Sequence, residues 1–252
     1  MDSRLYFGSN FKMHQTAAES AAFLRAVLPA ARPGLQLFLI PPFTSLAALT
    51  PIKGDIWIGA QTMHDAEEGA YTGEISARML AALGVDLVML GHAERRRHFG
   101  ETDAALRRKV RRALDHGLRV LLCVGEDDLE HACGASAETV IRQIKIALCD
   151  VSGGDLPRLL IAYEPVWSIG VGGIPAPIPD VTHAVGAIRG CLRALFGESG
   201  DLIPVFYGGS VDADNVGGYV QIEGISGAFV GRAAWTPDSF LNVLSRASTA
   251  KG

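Results

Sequence analysis

The chain is poor in the features that mark several whole classes of protein. Its 252 residues include four cysteines, Cys123, Cys133, Cys149 and Cys191, with no CxxC pair and no metal-ligand spacing. Reduced thiols in a cytoplasmic protein are therefore expected. The seven histidines form no HxxxH or HxH pair, so no metal site is expected. There is no basic excess: 23 Lys and Arg face 27 Asp and Glu, a formal net charge of −4. A surface that neutralises nucleic-acid phosphates is not expected on that balance. The clusters Arg95-Arg96-Arg97 and 107–112 are read as solvated helix faces. No apolar run approaches the about 18 residues of a membrane span, and Met1-Asp2-Ser3-Arg4 opens into no signal-peptide pattern. No GxGxxG follows the first apolar run, which weakens an open dinucleotide-binding sheet.

What the chain does contain is a regular alternation. Short apolar runs recur at 5–8, 35–40, 56–60, 87–90, 120–124, 159–163, 205–207 and 228–230. Most are apolar throughout, as strands covered on both faces should be. Helical patterns lie between them. Thr16-Ala17-Ala18-Glu19 reads as a capping box opening a face at Ala22, Phe23, Ala26 and Val27. Residues 102–116 place Leu106, Val110, Ala113 and Leu114 together before Gly117, residues 136–149 do the same for Val140, Ile144, Ala147 and Leu148, and Pro237 starts the last helix. Eight strand–helix units of about 30 residues without a composition break predict one α/β domain over 1–252, a parallel sheet that is open or closed into a (β/α)8 barrel. One connection is long: residues 61–75 hold Met63, Ala70, Tyr71 and Ile75, which predicts a packed functional loop.

Barrels of this kind carry their chemistry at the C-terminal ends of the strands. There the sequence places Asn10-Phe11-Lys12-Met13, Gly91-His92-Ala93-Glu94-Arg95-Arg96, Glu164-Pro165-Val166-Trp167, Tyr207-Gly208-Gly209-Ser210-Val211 and Gly231-Arg232. Singly each has an ordinary reading. Lys12 is a surface charge, His92 a satisfied polar residue, Glu94 and Arg95 an ion pair, Glu164 a salt-bridge partner and the glycines are turns. Together they suit proton abstraction by a fixed carboxylate beside a glycine-bearing lid. His92 stands where a strand turns into a helix, a place that favours a neutral imidazole able to donate to a carbonyl oxygen. Two glycine-bearing turns after the last two strands match the usual phosphate site of a barrel.

In this order the motifs resemble those of triosephosphate isomerases over nearly the whole chain. Asn10-Phe11-Lys12-Met13 is similar to that family's Asn-Trp-Lys-Met, Gly91-His92-Ala93-Glu94-Arg95-Arg96 to Gly-His-Ser-Glu-Arg-Arg, and residues 69–76 to its interface loop. The resemblance implies a (β/α)8 TIM barrel, no cofactor, a small phosphorylated sugar as substrate, and a homodimer whose loop around Thr72 enters the partner. It makes Glu164 the base, His92 the carbonyl-polarising group, Lys12 the holder of the anionic intermediate and Asn10 its orienting neighbour. Gly170, Ser210 and Gly231 would bind phosphate. The lid would comprise Pro165, Val166, Trp167, Gly172, Gly173 and Pro175.

Four departures bear on the substrate. Ala93 replaces a serine, and the lid's Gly-Thr-Gly-Lys-Thr-Ala becomes Gly170-Val171-Gly172-Gly173-Ile174-Pro175. The lid latch of the family, a tyrosine hydroxyl at the position of Tyr207 meeting a backbone N–H, falls on Pro175, which has none. Arg232 replaces a glycine, either adding charge at the phosphate or pointing outward. The lid end and Gly231-Arg232-Ala233-Ala234-Trp235 resemble the L-erythrulose-1-phosphate isomerases of erythritol catabolism. The expected substrate is thus L-erythrulose 1-phosphate, with the triose phosphates of glycolysis and gluconeogenesis as the alternative. A catalytically silent barrel is the remote third reading.

Overall fold

The eight apolar runs are eight parallel strands closed on themselves. The structure, a computed structural model, describes residues 4–170 and 173–252. Among these the strands are β1 (Leu5–Asn10), β2 (Leu35–Ile40), β3 (Trp57–Ala60), β4 (Leu87–Leu90), β5 (Arg119–Val124), β6 (Leu159–Tyr163), β7 (Val205–Tyr207) and β8 (Gly227–Val230). Each pairs in parallel with the next, and Tyr6 opposite Gly227 closes β1 onto β8. The chain is the expected (β/α)8 barrel, and the open sheet is ruled out.

Two cores explain why the strands read as uninterrupted apolar runs. Tyr6, Phe38, Met89, Leu121, Leu160, Phe206 and Phe229 face inward and fill the barrel. Their strand neighbours Phe7, Leu39, Val88, Leu122, Ile161 and Val230 face outward against the helices. Burial of such a side chain stabilises by about 1.5–3 kcal/mol, so both directions favour apolar residues. Gly8 is an inward position where a Cβ would overlap the Phe38 ring. Continuing the period of two, Asn10 follows Tyr6 and Gly8, and Glu164 follows Leu160 and Ala162. Both polar residues therefore arrive at the C-terminal mouth of the barrel.

The outer layer is α1 (Ala17–Val27), α2 (Phe43–Leu49), α3 (Ala77–Ala82), α4 (Ala93–Phe99) and α5 (Asp103–Asp115). It continues with α6 (Asp128–Ala132), α7 (Ser136–Ala147), α8 (Ile178–Phe196), α9 (Val216–Val220) and α10 (Pro237–Lys251). Thr16 and Glu19 form the expected capping box, and Pro237 occupies the first turn of α10. The buried face of α1 is rotated from the expected one: Phe23 and Val27 are core, with Ser20, Ala21 and Leu24, while Ala22 and Ala26 are exposed. Alanine is small enough to sit on either side, and the larger Leu24 takes the core. In the long loop Met63 is buried and Ile75 half-buried, but Ala70 and Tyr71 are exposed rather than packed. No helix among the described residues is long and apolar enough to cross a membrane.

Candidate active site

Lys12 is held by its backbone before its charge is considered. Its φ is +50°, a left-handed conformation that L residues adopt only when neighbours impose it. The Lys12 N–H donates to Asn10 Oδ1 at 2.8 Å, and its C=O accepts from Gln61 Nε2 at 2.7 Å. The ammonium then reaches Glu94 Oε1 at 2.7 Å. Burial pushes the Glu94 carboxyl up, but the hydrogen bond and charge of Lys12 outweigh it, and the net shift is downward. Glu94 thus pairs with Lys12 and not with Arg95, whose guanidinium lies over the Phe99 ring.

His92 and Glu164 converge from the ends of β4 and β6, two strands apart around the mouth. His92 is the N-cap of α4, 4 % exposed, and its Nδ1 accepts the Glu94 N–H at 3.3 Å. With Nδ1 accepting, the ring proton of the neutral imidazole belongs on Nε2. Nε2 lies 3.8 Å from Glu164 Oε1. Glu164, 2 % exposed, has its other oxygen on the Ala93 N–H at 3.3 Å. The cavity therefore presents a carboxylate able to take a proton, an imidazole N–H able to polarise an oxygen, and an ammonium. Behind them, burial and then the Glu164 charge push the Cys123 thiol well up, so it stays protonated.

The residue before His92 is clamped by charge. Glu101 Oε2 accepts the Gly91 N–H at 3.0 Å, and Arg96 Nε donates to the Gly91 C=O at 2.8 Å. Arg96 also pairs with Asp103 at 2.6 Å. Arg96 is therefore a structural tie rather than part of a solvated face, whereas Arg107 and Arg108 stay on the surface, paired to Asp150 and Asp65.

A cavity of about 530 Å3 opens over these groups. Asn10, Lys12, His92 and Glu164 line its floor, and Gly170, Ser210, Gly231 and Arg232 line its wall, so all eight of these residues are brought together. Arg232 is exposed there and makes no hydrogen bond or ion pair among the described residues, although it borders the cavity. Thr72 lies apart, exposed on the long loop. Among the described residues no cluster of three metal-ligating side chains exists.

The segment read as a lid is anchored unequally. Of its expected residues, Gly172 lies outside the described residues, as does Val171. At its start the Val166 N–H donates to the Glu126 C=O at 2.9 Å. The buried Glu126 carboxylate accepts from Trp167 Nε1 at 2.8 Å and from the Tyr163 hydroxyl at 3.1 Å. Burial, then the Glu126 charge, push the Tyr163 hydroxyl strongly up. Ser168 Oγ accepts the Ser210 N–H at 3.3 Å, tying this end to the loop after β7. At the far end the Tyr219 hydroxyl donates to the Ala176 C=O at 2.7 Å. The Tyr207 hydroxyl is buried without a hydrogen-bond partner among the described residues.

The strand-end rule points to Asn10, Lys12, His92 and Glu164, all of which border the cavity, and passes over Glu126 and Tyr219. Glu126 follows β5 and was available to the same rule. Tyr219 was not, because its partner is 43 positions away.

Comparison with known proteins agrees with this geometry. The family model described as triosephosphate isomerase matches residues 5–247. An L-erythrulose-1-phosphate isomerase of Rhizobium etli is 40 % identical, covering 98 % of this chain and 93 % of its own. A triosephosphate isomerase of Caldanaerobacter subterraneus subsp. tengcongensis is 38 % identical, covering 96 % and 99 %. The crystal structure of triosephosphate isomerase from Bartonella henselae superposes with a TM-score of 0.88 at 32 % identity, covering 97 % of this chain and 99 % of that one. With the barrel and the converging strand ends, these matches mean that the chain belongs to the triosephosphate isomerase family of isomerases.

Proposed function

We propose that the protein shifts the carbonyl of L-erythrulose 1-phosphate to give D-erythrulose 4-phosphate through an enediolate, without a cofactor. Glu164 removes the proton from the carbon beside the carbonyl, the C–H electron pair forms the new C=C bond, and the carbonyl oxygen takes the negative charge. His92 Nε2–H stabilises that oxygen and carries a proton between the two enediolate oxygens. Glu164 returns its proton to the former carbonyl carbon, so atoms and charge balance. Lys12 holds the anion, Asn10 orients it, and Gly170, Ser210, Gly231 and Arg232 bind the phosphate. A lid over residues 165–175 excludes water and so suppresses loss of phosphate. The observation that carries the reading is the 3.8 Å approach of His92 Nε2 to Glu164 Oε1 beside Lys12.

The four-carbon substrate is favoured over dihydroxyacetone phosphate by Arg232 on the cavity wall, which has no ion pair among the described residues, and by the altered lid end. It differs from the triose only by a hydroxymethyl on the carbon that is deprotonated, so the catalytic groups keep their places. Relatives of both names at similar identity support triose isomerisation as the second reading. We also place the protein in the cytoplasm as a homodimer. A cavity of about 190 Å3 beside Lys12 borders Met13, Arg95 and Phe99, and the Arg95 Nε is buried without a hydrogen-bond partner among the described residues. Met13 and Phe99 are 94 % and 66 % exposed, which suits a place for the Thr72 loop of a second copy.

A side-by-side assay decides the substrate. The purified protein is expected to turn over L-erythrulose 1-phosphate far better than dihydroxyacetone phosphate, and the reverse ranking overturns the assignment. Glu164→Gln should lower kcat by about 10²–10⁴-fold while inorganic phosphate still binds. Unchanged turnover would refute Glu164 as the base.

A further inference from the structure

The only non-glycine residues at positive φ among the described residues are Lys12 and Gln15, at +50° and +70°. Both lie in the loop after β1. Such conformations persist only where the surroundings over-determine them. Asn10 and Gln61 bond to the Lys12 backbone itself, and one residue beyond the end of β8 braces the loop on either side of it. The Trp235 indole N–H donates to the Asn10 C=O at 2.9 Å, two positions before Lys12. The Trp235 C=O accepts from Gln15 Nε2 at 3.0 Å, three positions after it. Its ring packs on His14 with centroids 4.0 Å apart. Trp235 therefore brackets Lys12 from both sides in the sequence.

The same tryptophan ends the turn that begins at Gly231. The Ala234 N–H closes onto the Gly231 C=O at 2.9 Å, and Ser9 Oγ donates to the Ala234 C=O at 3.4 Å. A Cβ placed on Gly231 would meet Lys12 Cε at 3.8 Å, so the Lys12 side chain runs beside the Gly231 turn. We infer that Trp235 is a positioning residue, locking the Lys12 loop to the Gly231 turn so that both approach one anion together. This rests on the proposed roles of Lys12 and Gly231 in holding the phosphate. Trp235 itself acts through Lys12.

Inorganic phosphate, followed by calorimetry and as a competitive inhibitor, is the probe. Trp235→Phe keeps a ring and removes the donor. It should weaken phosphate binding and raise KM by the same roughly 5- to 10-fold, the worth of one hydrogen bond to a site. The kcat should stay within about 3-fold. In a Lys12→Met background Trp235→Phe should change phosphate affinity by less than about 2-fold, because the two act as one unit. Gln15→Ala, which removes the brace on the other side, should act in the same direction and serves if Trp235→Phe does not fold. Wild-type phosphate affinity in Trp235→Phe, or an equal loss in both backgrounds, overturns the inference. If Lys12→Met alone leaves phosphate binding unchanged, the underlying assignment of Lys12 fails first and this one falls with it.

Discussion

The two ends of the proposed lid are restrained by different physics. At the start, Tyr163 and Trp167 donate to the Glu126 carboxylate, which has no solvent exposure, the Val166 N–H donates to the Glu126 backbone C=O, and His131 stacks on Trp167 at 4.2 Å. At the finish, Pro175, Pro177 and Pro179 fix φ covalently and supply no N–H, and Tyr219 makes one side-chain bond to Ala176. Tertiary hydrogen bonds hold the first end, and chain geometry holds the second. Moving the first end means disturbing a buried charge with two side-chain donors. Moving the second means breaking a single neutral hydrogen bond, with rotation left to ψ. A proline cluster thus stiffens the end that contains Pro175, the position that the family resemblance makes the latch donor.

The contrast should show first as stability. Glu126→Ala leaves the Tyr163 hydroxyl and the Trp167 N–H buried without an acceptor, and each such group costs about 1–3 kcal/mol. A total loss of about 2–4 kcal/mol is expected, lowering Tm by roughly 5–15 °C for a chain of this size. Glu126→Gln retains an acceptor oxygen and should recover part of the loss. Thermal denaturation of the three proteins measures this. A Glu126→Ala protein as stable as the parent would mean that the first end is not anchored by the carboxylate.

Much of this is legible in the sequence alone. The eight strands could be located to within about two residues because a barrel strand is buried on both faces and stays apolar along its length. Asn10, Lys12, His92 and Glu164, which border one cavity, could be picked out because each lies at or just past a strand end, where this architecture puts its chemistry. Other features left no local trace. A lysine at φ +50° looks like any lysine, since Asn10 and Gln61 impose that conformation from outside. Arg96 sits in a run of three arginines and reads as solvated, yet the carbonyls of Gly91 and Cys123 and the Asp103 carboxylate draw it inward. The substitution of a lid residue by Pro175 was visible, but its consequence at Tyr207 and Tyr219 depends on a packing that joins α9 to the proposed lid.

The second end should respond more weakly. Tyr219→Phe keeps the ring that packs on Tyr207 at 4.0 Å and removes only the donor to Ala176. A loss of about 1 kcal/mol, or roughly 2–4 °C in Tm, is expected. If Tyr219→Phe proved as damaging as Glu126→Ala, the two ends would be equally anchored and the contrast would be wrong.

Tyr207→Phe should have the smallest effect on the free protein, and its sign is informative. Burial pushes the Tyr207 hydroxyl up, consistent with a neutral group kept from water. A buried hydroxyl without a partner already carries a desolvation cost of about 1–3 kcal/mol, so removing it should be neutral or slightly stabilising. Gly209 sits against that hydroxyl, where a Cβ would overlap it, so the phenylalanine fits without strain. Equilibrium denaturation and kcat should be measured on the same preparation. Unchanged stability with unchanged kcat would mean that turnover does not depend on this hydroxyl, as expected if Pro175 removes the latch. Unchanged stability with a clear fall in kcat would instead locate a partner for Tyr207 in the closed state, reached only when the second end moves.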